Sequence, residues 1–173
     1  MSQKNSKALI NNKSTPKLSL AVQYVSKDQH LPTRSQLRRW FKVALNFDAS
    51  IVLRIVDEVE GRELNSRYRG KDYATNVLTF VYDDLNSPNA MSISTEPVLH
   101  GDVVMCAPVV AREAIAQHKT GLAHYAHLVI HAVLHLQGYD HKNEADAHKM
   151  ESLETALMLK LRYPEPYQAI RHL

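Results

Sequence analysis

Apolar positions along the chain recur with two different periods. Leu18, Leu20, Val22 and Tyr24 alternate with Ser19, Ala21 and Gln23, the two-residue repeat of a half-buried strand. Further strands are predicted at 51–56 (IVLRIV), 77–81 (VLTFV) and 102–106 (DVVMC), all rich in β-branched residues. Between them the repeat lengthens. Pro32-Thr33 introduces a helix over 34–46, in which Leu37, Trp40, Phe41, Ala44 and Leu45 share one face. A short polar helix is predicted over 58–67, anchored by Val59 and Leu64, and another over 108–118, with Pro108 in its first turn. The segment 122–137 is apolar nearly all round and should be the central buried helix. A last helix, 143–161, carries Met150, Leu153, Leu157 and Leu161 on one stripe before Pro164 and Pro166 stop it. The segment 82–97, rich in Asp, Asn, Ser and Pro, reads as a loop.

Strands and helices alternate first, and helices dominate afterwards. The expected fold class is α+β: a small mixed sheet of about four strands with several helices packed on it. The chain has 173 residues, 45% of them hydrophobic, enough for one domain with its own core. Residues 1–17 are polar and rich in Lys, Asn and Ser, and read as a basic flexible arm ahead of a single domain spanning 18–173. The lone cysteine, Cys106, excludes an intramolecular disulfide and sits in an apolar run, as a small core residue would. No apolar run reaches the roughly 18–20 residues of a membrane span, and the first residues lack the apolar stretch of a secretory signal. A soluble intracellular protein is expected.

Charge is uneven. Nine of the 21 Lys and Arg residues but only one of the 18 acids, Asp28, lie at or before Lys42. A cationic first quarter on an otherwise acidic chain suits a polyanionic partner or a solvated helix face. Arg38, Arg39 and Lys42 of the first helix are the candidates for such contacts.

The chemistry concentrates in HAVLHLQGYDH, His131–His141. Seven of the ten histidines lie between His118 and His148. His131 and His135 are four apart, so a helix sets their Cβ atoms roughly 5–6 Å from each other on one face. Gly138 follows as a C′ residue that can take a left-handed turn and return His141 to the same side. Three neutral imidazoles, each about 2.0–2.1 Å from a zinc ion, would leave a fourth position open at the end of the buried helix. His127 also lies four before His131, but 127, 131 and 135 together span about 12 Å of helix, too far for one ion. His124, His127 and His148 therefore read as hydrogen-bonded core or surface residues.

The spacing H-x3-H-x5-H matches the metzincin proteases, which carry a Glu general base directly after the first His. Here that position is Ala132, which takes no proton. Asp140, beside His141, could orient a ligand ring.

The whole stretch resembles the H-G-x-L-H-L-x-G-Y-D-H signature of the bacterial YbeY endoribonucleases. Upstream, ELNSRYRGKDYATNVLTF (63–80) is similar to that family's E-L-N-x-x-Y-R-x-K-D-x-P-T-D/N-V-L-S-F stretch, and GDVVM (101–105) to its G-D-I/L-V-I strand. The likeness runs from about Leu18 to Tyr167. It implies a zinc-dependent endoribonuclease of the cytoplasm, directed at single strands. The implied role is 3′-end maturation of small-subunit (16S) ribosomal RNA and ribosome quality control. Ribosomal RNA, the small subunit and ribosome-associated proteins would be its partners, with no membrane and no DNA. One Zn2+ per chain would sit on His131, His135 and His141, and the family's functional arginine falls on Arg69. Lys71, with Arg67 and the basic helix, would track the RNA backbone.

Ala132 replaces Gly, Ala74 replaces Pro, Thr79 replaces Ser, and Val81 replaces the Pro that often follows the Phe. None removes a ligand or Arg69. From the residues alone, the favoured reading of Arg69 is a surface arginine paired with Asp72, and it is the resemblance that makes it functional. Two rivals stand beside the nuclease: a metalloprotease with a base from elsewhere, and a ribosome-docking module with a structural zinc.

Overall fold

The computed structural model describes residues 14–82 and 98–167. Most of the predicted basic arm and nearly all of the predicted 82–97 loop lie outside them. The elements follow in the order β1 (Leu18–Tyr24), α1 (Arg34–Ala44), β2 (Asp48–Val56), α2 (Glu58–Arg69), β3 (Val77–Val81), β4 (Val98–Cys106), α3 (Ala107–Ala116), α4 (Gly121–Leu136) and α5 (Glu144–Lys160). The fold is α+β, as the pattern predicts. The four strands form one mixed sheet in the order β1-β2-β4-β3, with β1, β2 and β4 parallel and β3 antiparallel on the edge.

β2 and β4 start earlier than their apolar cores suggest. Asp48–Ser50 and Val98–Gly101 carry polar residues and a glycine, yet they pair in register as Asp48↔Val98 through Ile51↔Gly101. Ladder bonding to a neighbouring strand outweighs weak local propensity. At the other edge, arginines of α1 cap β1: Arg34 donates to the Val22 carbonyl and Arg38 to the Leu18 carbonyl, both at 3.0 Å.

The residues of β4 alternate between two cores. Val103 and Met105 join the main core with Leu37, Trp40 and Phe41 of α1, the apolar length of α4, and Met150 and Met158 of α5. Val104 and Cys106 face a smaller core with Val56, Leu78 and Val109, against which Leu64 packs. One expectation fails here: Val59 is 75% exposed and anchors nothing. The helix α2 instead seats Gly61 and Asn65, both buried. A Cβ on Gly61 would lie 3.0 Å from Cys106 Sγ, so the cysteine fills the hollow that the glycine leaves.

The glycine of β4 serves the candidate site directly. A Cβ on Gly101 would stand 3.0 Å from Leu136 Cδ2 and 3.0 Å from the Phe80 carbonyl oxygen. The last turn of α4 therefore rests on bare backbone. Gly101→Ala is expected to cost about 1–3 kcal/mol, because the carbonyl belongs to a paired strand and cannot yield. A urea titration measures it, and an unchanged midpoint would contradict the close approach.

Candidate metal centre

Helix α4 is capped at its start by Thr120, whose Oγ1 accepts the Ala123 N–H at 3.1 Å. Its end turns as the glycine predicts. Gly138 has φ +96°, and the Tyr139 N–H reaches back to the Leu134 carbonyl at 3.1 Å. This reversal puts Tyr139–His141 beside the last turn and so beside His131 and His135.

The hydrogen bonds fix which nitrogen of each ring is free. His131 Nδ1 lies 2.7 Å from Glu154 Oε1, and His135 Nδ1 lies 3.2 Å from the Tyr139 carbonyl oxygen. A carbonyl only accepts, so His135 donates from Nδ1. Glu154 is 1% exposed. Burial pushes its carboxyl up, but hydrogen bonds from His127, His131 and Tyr167 outweigh that and hold it down at about 2. At neutral pH it is a carboxylate that only accepts, and His131 also donates from Nδ1. Each neutral ring then presents a bare Nε2, the arrangement in which imidazoles bind metals.

The two rings lie nearly parallel, 7° apart with centroids 6.4 Å from each other, and His141 stands 5.9 Å from His131. Three imidazoles sharing one zinc would bring ring centres to roughly 5 Å. As placed, no group of three His, Cys, Asp or Glu side chains among the described residues is gathered closely enough to hold an ion. His135 and His141 are exposed, so their rings are not held in place by packing. The donor set, three imidazoles of which two have Nδ1 engaged, fits zinc.

Asp140 orients no ligand ring. Its Oδ1 accepts the His141 N–H at 2.7 Å, and its Oδ2 lies 3.3 Å from Lys142 Nζ. Glu154 takes that role for His131, and sequence reasoning passed it over. The signal was present: Glu154 sits four residues after Met150 and four before Met158, a charge on the buried face of α5. The same carboxylate accepts from His127 Nε2 at 2.5 Å and from the Tyr167 hydroxyl. His127 is thus a hydrogen-bonded residue, as read, and stands one partner away from the candidate ligands.

A second pair, buried His124 with half-buried Glu113, lies further back. Glu113 Oε2 is 2.9 Å from His124 Nε2, and Asn76 Nδ2 donates to both carboxylate oxygens at 3.0 Å. Burial raises the Glu113 carboxyl, while His124 and Asn76 lower it further, for a net fall below the ordinary 4.5. A carboxylate held low in the folded state stabilises fully above about pH 4.5 and loses that stabilisation as pH drops through its folded value. Glu113→Gln should therefore lose less stability than the parent between neutral and acid pH. Urea unfolding across that range tests it; parallel curves would refute it.

Arg69 ends α2, just before Gly70, which takes φ +67°. It is exposed. The alternative pairing with Asp72 does not form: Asp72 is bound by Arg62 through two bonds of 2.8 and 2.9 Å. Among the described residues, Arg69 makes no hydrogen bond or ion pair, and none joins it to the three histidines. Lys71 and Arg67 are exposed beside it. Arg38, Arg39 and Lys42 line a groove along α1.

Fold and site define an α+β domain with a histidine cluster at one helix end. The family described as Endoribonuclease YbeY matches residues 12–162. An Endoribonuclease YbeY of Methylobacillus flagellatus is 51% identical over 154 residues, which is 89% of this chain and 96% of that one. Another, of Nitrosospira multiformis, is 53% identical over 156 residues, or 87% and 82% of the two chains. A solution structure from Thermotoga maritima has a TM-score of 0.49 and 23% identity, over 82% of this chain and 91% of its own. The chain belongs to the YbeY endoribonuclease family. No helix among the described residues is long and apolar enough to cross a membrane.

Proposed function

We propose that this chain is a zinc-dependent endoribonuclease that cuts single-stranded RNA. It binds one zinc ion per chain on His131, His135 and His141. It acts in the cytoplasm in 3′-end maturation of 16S ribosomal RNA and in ribosome quality control, with the small subunit and its associated proteins as partners. The observation that carries the metal reading is the pair of fixed tautomers, with Glu154 and the Tyr139 carbonyl both occupying Nδ1. Family membership supports RNA as substrate.

When bound, zinc supplies Lewis-acid stabilisation of charge developing on a phosphodiester. The protein's own residues do the rest. Glu154 holds the His131 ring, and the Gly138 turn presents His141. Arg69 offers a planar fork for two phosphate oxygens, with no carboxylate among the described residues competing for it. Arg67 and Lys71 extend the cationic surface beyond it.

Two features weigh against the rivals. Ala132, at the position of the protease base, is wholly buried and has no group to take a proton. The Asp140 carboxylate, the nearest acid to His141 in sequence, is engaged by the His141 backbone and Lys142, which speaks against a closed structural zinc.

Arg69→Ala is expected to lower cleavage of ribosomal RNA with an immature 3′ tail by about ten- to a hundredfold, the worth of a charge-assisted contact. Bound zinc should stay at one per chain. Cleavage at the parent rate would remove Arg69 from the site. Metal analysis of freshly purified protein tests the cofactor itself.

A further inference from the structure

A groove of about 1360 Å³ runs along α1, between the chain at 14–16 and the end of α5. Arg38, Arg39, Lys42 and Lys160 line it, and Asp48 is the one carboxylate on its wall among the described residues. That acid is already engaged, accepting the Lys17 backbone N–H at 2.8 Å. Arg38 uses one N–H on the Leu18 carbonyl. The side chains of Arg39, Lys42 and Lys160 make no hydrogen bond or ion pair among the described residues. Three uncompensated cations in one concavity create a field that favours a polyanion.

The groove adjoins the turn that follows α4. Asn46 and Phe47 line it and also line a second hollow, of about 300 Å³, walled by Gln137, Gly138, Tyr139, Lys149 and two carboxylates, Asp140, which is engaged by the His141 N–H, and Asp146, which accepts from Asn143. Gln137 locks the two together: its Oε1 accepts the Asn46 N–H and its Nε2 donates to the Ala44 carbonyl, both at 2.8 Å. The second hollow thus opens on the very residues that link His135 to His141. At the junction Phe47 is 41% exposed, an aromatic ring beside a cationic path. From Arg38 to Asn46 the groove follows about 12 Å of chain at the helical rise, room for a few nucleotides.

We propose that this groove is a single-strand RNA track feeding the histidine cluster. Arg39, Lys42 and Lys160 take successive phosphates, Arg38 assists with its remaining donors, and a base stacks on Phe47 where the strand turns toward Tyr139. The proposal rests on RNA being the substrate of the site, and it specifies how the strand on one side of the cut is held. A cationic groove with an aromatic step is how single strands are bound without sequence readout. An acidic protein segment would use the charges but has no need of the exposed Phe47 ring.

The test measures binding of a fluorescein-labelled oligouridylate of about a dozen nucleotides, by anisotropy over a salt series. The parent is compared with Arg39→Gln/Lys42→Gln/Lys160→Gln, leaving Arg38 to hold β1. The triple variant should bind at least about tenfold more weakly at low salt, with a log–log salt slope shallower by about two, since each single-strand phosphate contact contributes about 0.7. Phe47→Ala should weaken binding about tenfold with the slope unchanged, because stacking is uncharged. The charge-keeping set Arg39→Lys/Lys42→Arg/Lys160→Arg should restore affinity, which a folding defect would not allow. Parent-like affinity and slope in the triple variant overturn the proposal. So does an equal loss per charge removed in Lys27→Gln/Arg112→Gln, which would make the effect one of net charge. Loss of polyglutamate binding with RNA binding intact would make the groove a protein dock and overturn it as well. Cleavage is scored separately: a parent that binds but does not cut refutes the nuclease reading and leaves the track standing.

Discussion

His135→Ala is expected to abolish RNA cleavage and stoichiometric zinc binding together, with the fold preserved. His135 is exposed, and among the described residues its one hydrogen bond runs from Nδ1 to the Tyr139 carbonyl, so little packing is lost with the ring. The ligand set, by contrast, drops from three nitrogens to two. Removing even a residue that merely supports a ligand costs about 10–100-fold in metal affinity, and removing the ligand itself should cost more than about a hundredfold. Chelating the parent should reproduce the loss, and restored zinc should rescue the parent but not the variant. The readouts are metal content, cleavage of ribosomal RNA with an immature 3′ tail, and the far-UV circular dichroism spectrum. Undiminished cleavage in the variant or the chelated parent would end the zinc mechanism.

Substitution of Glu154 separates support of the ligand from support of the fold. Glu154→Ala leaves His127, His131 and Tyr167 facing a buried hollow without their shared acceptor. Breaking such a buried charged network costs about 3–5 kcal/mol, which at this chain length lowers Tm by about 10 °C. Glu154→Gln keeps the volume but offers one acceptor oxygen in place of two. If that oxygen stays with His127 and Tyr167, an amide N–H meets His131 Nδ1, which must then accept. The His131 proton moves to Nε2, and the lone pair meant for the metal disappears. Zinc affinity should fall about 10–100-fold, while Tm drops much less than in the alanine variant. Calorimetry and a zinc competition titration check both. Equal zinc affinity in Glu154→Gln and the parent would mean that the carboxylate supports packing alone.

Much of this was legible in the chain. The two-residue alternation at 18–24 and the β-branched run at 77–81 define β1 and β3 to the residue, because each carries its own apolar pattern. The face of α1 is read correctly, with Leu37, Trp40, Phe41 and Ala44 all buried. Gly138 is legible for a different reason: a left-handed turn after a helix excludes almost every other residue, and its φ is positive as required. The pairing of His131 with His135 follows from helical geometry alone. For α2 the reading held in part: Leu64 packs as an anchor, but Val59 is exposed, and the buried residues are Gly61 and Asn65, which carry no hydrophobic signal.

What the sequence by itself determined is whatever a single segment specifies through its own backbone period: the helices, the apolar strand cores, the i,i+4 histidines and the turn after them. Only the tertiary structure decided strand order, the early starts of β2 and β4, and the partner of each ring. Those depend on segments far apart in the chain. Glu154 lies 23 residues from His131 and binds it because α5 packs on α4. A local pattern encodes which face is buried, but a hydrogen bond between two elements exists only once both have docked.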